Sequence, residues 1–480
     1  MSNLPQPSRT RRFYIAWIAA IIVCATFFLW THSVLSPEHP APPMRAELEK
    51  PVPKKLETPA PSRALKPFAP DSDEYIITAF SLQGMRHVTD AEPAFTLLPP
   101  GNTLVAQVIK RDPSPEPQFP GKGGEAATVS YTLDQKPDPA AGRALPLDGI
   151  LGGSEDSPWF VNESIPVMPY LARTGDTASG SGFFYPYPTA TLSAADNSGQ
   201  VLMETRAVLP VSTEIGCRRC HSGPWKYEDA AGISRQTADN IFAVHDRRSH
   251  TNFAEQAAQN KTVDCRSCHS GAGEQPNIST AIHGFHAGMK LDGQEGCGAC
   301  HASADEGATR FNRDFHATIG LDCTRCHGSM AQHALSLLRF ETERGSTAAS
   351  ARKVLLEVEY SLDANEINPR KPWVNLPQCA GCHDFSKKPD PGSASAFNKW
   401  TQNKNERFSY AVENTGKLRC PSCHGSPHAL YPTYGPSAED DNLQPLLYQK
   451  KAAPLGKNGN CSVCHSVDMD GFIHHDLVEQ

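Results

Sequence analysis

This chain of 480 residues has few methionines and fewer basic than acidic residues, and its cysteines are almost all confined to one region. Its 45 lysines and arginines are outnumbered by 52 acidic residues, so the net charge is −7 and nucleic-acid binding is unsupported. Beyond residue 212 there are three methionines, Met289, Met330 and Met469. Of the 15 cysteines, Cys24 alone lies before residue 217. Thiol chemistry is therefore expected from residue 217 onward.

The other fourteen cysteines form seven copies of the pattern Cys-x-x-Cys-His. The copies comprise Cys217, Cys220 and His221; Cys265, Cys268 and His269; Cys297, Cys300 and His301; Cys323, Cys326 and His327; Cys379, Cys382 and His383; Cys420, Cys423 and His424; and Cys461, Cys464 and His465. This pattern is the attachment signature of c-type haem, in which two thiols bond the porphyrin and the following His ligates the iron. The sequence therefore predicts seven covalently attached haem c groups with these seven proximal histidines.

Zinc and disulfides explain the same cysteines less well. A structural zinc site needs four ligands, and seven pairs cannot all be combined into four-cysteine sites. Zinc also gives no reason for a histidine after every pair. A disulfide framework would not keep to one spacing.

The second axial ligand decides whether a haem iron is closed to substrate or open. The region offers nine further histidines as candidate distal ligands: His245, His250, His283, His286, His316, His333, His428, His474 and His475. Nine candidates for seven positions favour His on both sides of each iron, and hence low reduction potentials.

Short spacings suggest that single segments serve two haems. His283 and His286 are three residues apart, on one face if helical. His428 follows His424 by four residues and His333 follows His327 by six. Between His383 and Cys420 there is neither His nor Met, so the fifth haem takes a distant ligand, uses Lys387 or Lys388, or stays open.

The N-terminal residues 1–35 are interpreted as a membrane anchor, with a cleaved signal peptide as the alternative. Arg9, Arg11 and Arg12 precede an apolar run from Phe13 to Trp30, which places the rest of the chain outside the cytoplasm. Cys24 lies inside this run, as a membrane-helix cysteine does and a lipoprotein cysteine does not. Residues 36–70 are rich in proline and predict a stiff, extended linker.

Two parts of different character follow. Residues 71–212 contain no cysteine and one histidine, His87, which we expect at the surface. Strand-like runs are Tyr75 to Phe80, Thr103 to Ile109, Ala127 to Leu133, Thr189 to Ala194 and Gln200 to Pro210, the last two joined by the hairpin turn Asp196-Asn-Ser-Gly. They predict a β-sandwich-like domain, with an irregular extension of the haem part as the alternative.

Residues 213–480 give roughly 38 residues to each haem, too few for a conventional core around each. We therefore expect a haem-packed, mostly α or irregular domain. Ala331 to Phe340 and Ala348 to Tyr360 have helix-forming composition. The fold class is thus mixed: membrane helix, linker, β-sandwich-like domain and multihaem domain.

From about Thr189 onward the chain resembles multihaem c-type cytochromes of anaerobically respiring bacteria, periplasmic proteins without an assigned function. The resemblance is carried by the segments Ala207 to His221, His283 to His286, Cys326 to Met330 and Cys423 to Pro432. It implies haem wiring and an extracytoplasmic location, but no particular reaction.

Three functions fit this pattern. The favoured one is electron transfer from a redox protein or a quinol-linked donor in the inner membrane to a periplasmic or outer-membrane acceptor. The alternative is an enzyme, a reductase or oxidase of a small nitrogen or sulfur compound at one open haem. Its polar groups would come from Arg407, Tyr410, Lys387 and Lys388. The third is a docking subunit with the β-rich domain as adaptor.

Overall fold

The structure, a computed structural model, describes residues 63–89, 94–98, 101–113, 117–121, 127–135, 148–154, 157–171, 183–224, 232–271, 275–288, 293–302, 309–343, 366–370, 379, 382–383, 395–399, 418–434, 441–456 and 460–467. All of them belong to one unit of chain, Pro51–Gln480.

Strands dominate the first part of this chain and helices the second. The strands are β1 Tyr75–Ser81, β2 Arg86–His87, β3 Phe95–Thr96, β4 Asn102–Lys110, β5 Thr128–Leu133, β6 Asp148–Ile150, β7 Gly152–Ser154, β8 Ser157–Ile165, β9 Tyr170–Leu171, β10 Phe183–Phe184, β11 Thr189–Ala195, β12 Val201–Val208, β13 Val211–Ser212, β14 Val263–Asp264, β15 Gly425–Ser426 and β16 Ala429–Leu430. The α-helices are α1 Arg218–His221, α2 Arg235–Ser249, α3 Phe253–Ala258, α4 Ile278–His286, α5 Gly293–Gly298, α6 Phe315–Thr318, α7 Cys323–His327, α8 Met330–Glu343, α9 Cys420–His424 and α10 Leu443–Gln449.

Two antiparallel sheets form the β-rich part. One has the strand order β1-β4-β8-β7 and the other β12-β11-β5-β6. In the second sheet, β5 alternates exposed and buried residues along its length, as a strand with one wet face does. In the first sheet, β1 is buried at all seven positions, so both of its faces are covered.

The cover of the first sheet comes partly from the motif region. The largest buried apolar cluster combines residues of both sheets with Leu418, Tyr448, Leu455 and Val463. The β-rich part and the last two motifs therefore share one core.

Side chains from the same region satisfy the free edge of β1. The hydroxyl of Tyr448 donates to the carbonyl of Ile77 at 2.7 Å and accepts from its N–H at 3.1 Å. The Gln444 amide makes the same pair of bonds with Ala79, whose N–H lies 2.9 Å from Oε1. An edge strand normally exposes these groups, and here α10 takes them up.

Most of the described strand predictions are confirmed. The predicted runs coincide with β1, β4, β5, β11 and β12, and the predicted helix 331–340 lies within α8. The predicted helix 348–360, the anchor 1–35 and residues 36–62 of the linker lie outside the described residues. Within the described part of the chain, no helix is long and apolar enough to cross a lipid bilayer.

Candidate haem-binding sites

Each motif folds into one tight turn that presents its histidine. In five motifs the backbone N–H of the histidine donates to the carbonyl of the first cysteine, at 2.8 to 2.9 Å. These five histidines are His221, His269, His301, His383 and His465. In the other two motifs the same residues form α7 and α9. This turn is the local geometry that binding of one macrocycle by two cysteines and a histidine requires.

Short polar side chains fix where these turns begin. The Asp322 carboxylate accepts from the N–H groups of Thr324 and Arg325, at 2.8 and 3.2 Å, at the start of α7. Asp264 caps the turn of the second motif through the N–H of Arg266 at 3.0 Å. An acidic N-cap satisfies N–H groups that a helix leaves unbonded.

All fourteen motif cysteines are described, and none of them forms a disulfide. Burial raises the pKa of Cys217, Cys265 and Cys423 to about 12, and that of Cys326 to about 11. Such thiols are protonated and weakly nucleophilic at neutral pH.

Cysteines of different motifs lie beside one another. The Cys323 thiol of the fourth motif is the main neighbour that raises the pKa of Cys297 in the third motif. Electrostatic neighbours also join Cys217 with Cys300, Cys326 with Cys382, and Cys423 with Cys464. These motifs are therefore neighbours, and the segments of the first and third are in direct contact, because the Gly216 N–H donates to the carbonyl of Cys300 at 3.0 Å.

Four non-motif histidines lie near motif histidines, at ring-centroid separations close to that of two axial ligands on one iron. Bonds between a metal and an imidazole nitrogen are about 2 Å long, so two opposed ligands have ring centroids roughly 6 Å apart. The measured separations are 6.5 Å for His245 and His269, 6.1 Å for His283 and His301, 6.1 Å for His428 and His327, and 6.1 Å for His316 and His383. These pairs fit axial ligation of the second to fifth haems.

Helix α4 reaches two motifs at once. Its His283 lies beside His301 of the third motif, and His286 is an electrostatic neighbour of His221 of the first. The helix starts at the second motif, where the Ile278 N–H donates to the carbonyl of His269 at 3.1 Å. As the three-residue spacing suggests, one helix turn carries candidate ligands for two different haems.

The second ring nitrogen of several candidates is already engaged. The Nδ1 atoms of His269, His283 and His286 each lie 2.8 Å from a backbone carbonyl oxygen. A carbonyl accepts, so Nδ1 carries the proton and Nε2 keeps its lone pair. Metal-ligating histidines in proteins are oriented in this way.

The fifth motif, for which sequence left the distal ligand open, has His316 as a neighbour. His316 is carried by α6, whose first turn is capped by Asp314. The Asp314 carboxylate, whose Oδ2 lies 3.7 Å from Nδ1 of His316, raises the pKa of His316 against the effect of burial. A histidine backed by a carboxylate is a common arrangement at metal sites. The alternatives Lys387 and Lys388 lie outside the described residues, as do Arg407 and Tyr410.

The third and fourth motifs meet in a central histidine cluster, which consists of His301, His327, His283, His333, His428 and His87. His333 lies 4.7 Å from His283 and 5.8 Å from His327 between ring centroids. Burial lowers the pKa of His283 and His428 to about 4 and holds that of His333 well below its usual value. These imidazoles are neutral at physiological pH, as ligands must be.

His87 is the candidate that the sequence interpretation missed: it was expected at the surface, and the structure shows it half-buried with its ring turned inward. Both of its ring nitrogens are buried, and its ring lies 5.1 Å from that of His301. Nothing in its spacing indicates this, because the motifs begin 130 residues later in the chain. The position of His87 is set by contacts between segments that are far apart in the sequence.

Buried arginines also enter the motif region without a sequence signal. Arg370 donates from Nη1 to Nδ1 of His327 at 2.8 Å. The Arg313 guanidinium forms an ion pair with Asp441 in which both side chains are buried. The backbone N–H of Arg313 donates to the carbonyl of His428 at 2.9 Å. Arg313 thereby holds the β15–β16 hairpin that carries His428.

The remaining predicted ligands have different positions. His250 is exposed at the end of α2, and His474 and His475 lie outside the described residues, as do Met289 and Met469. Met330 begins α8. His465 is buried and its carbonyl accepts from Arg111 at 3.0 Å, while the carbonyl of His424 accepts from Tyr431.

No three His, Cys, Asp or Glu side chains of the described residues converge on a point where they could hold a metal ion. No protein-family model, no curated protein and no solved structure matches the chain. The seven motifs and the histidine geometry are therefore the features of this chain that bear on its function.

Proposed function

We propose that this protein is a seven-haem c-type cytochrome that transfers electrons through closely packed, mainly bis-His haems. The observation that carries the proposal is the pairing of motif histidines with non-motif histidines at centroid separations near 6 Å, found at the second to fifth motifs. Seven copies of the attachment pattern supply the cofactor side of the same proposal.

Bound haem c supplies a one-electron iron couple, and the chain's residues decide what that couple can do. A histidine on each side closes the iron to substrate and favours low potentials. No catalytic acid or base is needed for electron transfer, and none is assigned.

Contacts between motifs support a continuous path. Thiol neighbours connect the first motif to the third, the third to the fourth, the fourth to the fifth, and the sixth to the seventh. The second motif touches α4, which reaches the first and third. His428, just after the sixth motif, lies beside His327 of the fourth. All seven motifs are thereby joined, with the fourth as a branch point.

The proposed setting is the periplasmic side of a bacterial inner membrane. The basic N-terminus and apolar run predict a single-pass anchor, or a cleaved signal peptide as the alternative. A quinol-linked membrane donor or a redox protein would deliver electrons, and a periplasmic or outer-membrane acceptor would take them.

Two measurements on the full-length protein test the proposal. The pyridine haemochrome assay is expected to give seven haems per chain, and a chain without covalent haem would refute the cytochrome. Carbon monoxide added to the dithionite-reduced protein is then expected to leave the visible spectrum unchanged. A spectral shift in about one haem of the seven attached would instead favour the alternative, a reductase or oxidase of a small nitrogen or sulfur compound at an open iron.

A further inference from the structure

His87 belongs to the part of the chain that has no cysteine, yet it lies among the motif histidines. It follows β1 and forms β2, which pairs in parallel with β13, with His87 opposite Ser212. The residues after β13 lead directly into Cys217 of the first motif. This pairing ties the position of His87 to the start of the motif region.

A close approach of two loops brings His87 to the cluster. Gly84, in the turn before β2, has a φ of +70°, and a Cβ there would lie 2.2 Å from the carbonyl oxygen of Pro427 and 2.9 Å from Nδ1 of His428. Only glycine allows this contact, because any side chain would collide with the backbone of the β15–β16 hairpin. The turn that carries His87 is therefore packed against the turn that carries His428.

The His87 ring is surrounded by aromatic groups. It stacks on Phe311 with 5.3 Å between centroids and 26° between planes, and it meets His301 edge-on at 5.1 Å. Phe311 in turn contacts the rings of His301 and His428. His301 and His428 are the nearest groups that influence the charge of His87.

Neither nitrogen of His87 has a hydrogen-bond partner among the residues that the structure describes, and both are shielded from solvent. Folded proteins rarely bury a polar side chain in this state, because the desolvated nitrogens lose their bonds to water without replacement. A neutral imidazole with a free lone pair is, in addition, the form that binds a metal. Packing on Phe311 alone would not need a histidine.

We propose that His87 is an axial iron ligand, supplied by the β-rich part to a haem of the central histidine cluster, on the basis of the proposed cytochrome function. The third motif is the nearest acceptor, since His301, 5.1 Å from His87 between ring centroids, is its proximal histidine. An iron has two axial positions, so His87 would take the distal position of this haem in place of His283, whose ring also lies 4.7 Å from that of His333. The β-rich part is then a piece of the haem-binding machinery and not a separate docking module.

The test compares three variants of the full-length protein. His87→Gln keeps a polar side chain of similar size but cannot replace the imidazole ligand, and His87→Met offers a sulfur ligand instead. Phe311→Leu is the matched control, because it removes the stacking ring and leaves His87 in place. Each variant is first assayed for seven haems by pyridine haemochrome. A wild-type chain without covalent haem would refute the proposed cytochrome function. That result differs from failure of the ligand assignment, which would leave all seven haems attached.

With seven haems retained, His87→Gln is expected to bind carbon monoxide at about one haem in seven and to show a high-spin ferric signal. His87→Met is expected to stay low-spin, with a sulfur-to-iron charge-transfer band and one raised potential. Phe311→Leu is expected to show neither change.

An unchanged spectrum in His87→Gln, with all haems present, would overturn the assignment. So would a high-spin signal of equal size in Phe311→Leu, because packing would then explain the effect. If His87→Gln does not fold, the presence or absence of the sulfur band in His87→Met decides. If neither variant accumulates, an experimental electron-density map of the wild-type holoprotein decides instead. Iron density within bonding distance of a His87 ring nitrogen would support the assignment, and iron density farther away would overturn it.

Discussion

At the scale of single residues, the buried ion pair of Arg313 and Asp441 is the most exacting arrangement in the motif region. Asp441 accepts from Nε and from Nη2 of Arg313, the latter at 2.8 Å, and both side chains are almost completely buried. The guanidinium also lies over the ring of Tyr187, 5.2 Å from its centroid. A buried charge is tolerated only while its partner is present.

Asp441→Asn should therefore destabilise the protein strongly, by about 3 to 5 kcal/mol, because it leaves the Arg313 charge uncompensated in the interior. The measurement is the free energy of unfolding in denaturant. Asp239→Asn is the matched control: it breaks the exposed Arg235–Asp239 pair, at 2.8 Å, and should cost at most about 0.5 kcal/mol. Equal losses in the two variants would contradict the assigned role.

At the scale of elements, strand β1 shows how the two parts of the chain depend on each other. Its outer edge is bonded by Ser426, Gln444 and Tyr448, which are more than 340 residues away in sequence. These side chains replace the neighbouring strand that the sheet lacks on this side. The β-rich part would expose this edge if it were separated from the motif region.

Tyr448→Phe tests this contact, because it keeps the ring and removes the hydroxyl that bonds both backbone groups of Ile77. Leaving a buried N–H and C=O unsatisfied should cost about 1 to 3 kcal/mol of unfolding free energy. Tyr434→Phe is the matched control, since the Tyr434 side chain is exposed, and it should change stability little. A loss in Tyr448→Phe no greater than in the control would refute the edge-capping role.

Local pattern was enough to predict the strands and the motif turns, but not their partners. Alternation identified β5, and the Asp196–Gly199 turn identified the hairpin of β11 and β12. The spacing of His283 and His286 indicated two haems for one helix. By contrast, the burial of His87 depends on Gly84 meeting Pro427, a contact between segments far apart in sequence. No periodicity records such a contact.

The same limit applies to the fifth motif. Its neighbour His316 precedes the fourth motif in sequence, so chain proximity pointed elsewhere. Arg370 beside His327 is likewise a product of tertiary packing, since Arg370 is held through its N–H to the carbonyl of Ser336 at 3.0 Å. Sequence predicted which residue types ligate, while the fold decides which histidine meets which motif.

At the scale of the whole molecule, the buried histidines predict how stability depends on pH. Burial lowers the pKa of His283 and His428 to about 4 in the folded protein, and lowers those of His87, His327 and His333 well below the usual value. In the unfolded chain these groups have a pKa of about 6.5. As pH falls below about 6.5, the unfolded chain binds protons that the folded chain excludes, so stability is lost progressively down to about pH 4.

His316 opposes this trend, because the Asp314 carboxylate raises its pKa and its contribution is lost as pH rises. It is one group against five, so the net effect of the six histidines is acid sensitivity. The proposed iron ligation would act with the same sign, since a nitrogen bound to iron cannot take up a proton in the folded state.

The prediction is that unfolding free energy falls steeply between pH 7.5 and 5.5, a window in which ordinary carboxylates stay ionised. Each buried histidine contributes a slope of up to about 1.4 kcal/mol per pH unit below its unfolded pKa. Denaturant midpoints at intervals of half a pH unit measure the slope. His428→Gln, if it folds, should reduce it by about one histidine's share, because one excluded proton is removed. An unfolding free energy that does not change with pH would mean that these histidines accept protons in the folded state. The central histidine cluster would then be accessible to solvent, contrary to the proposed electron-transfer core.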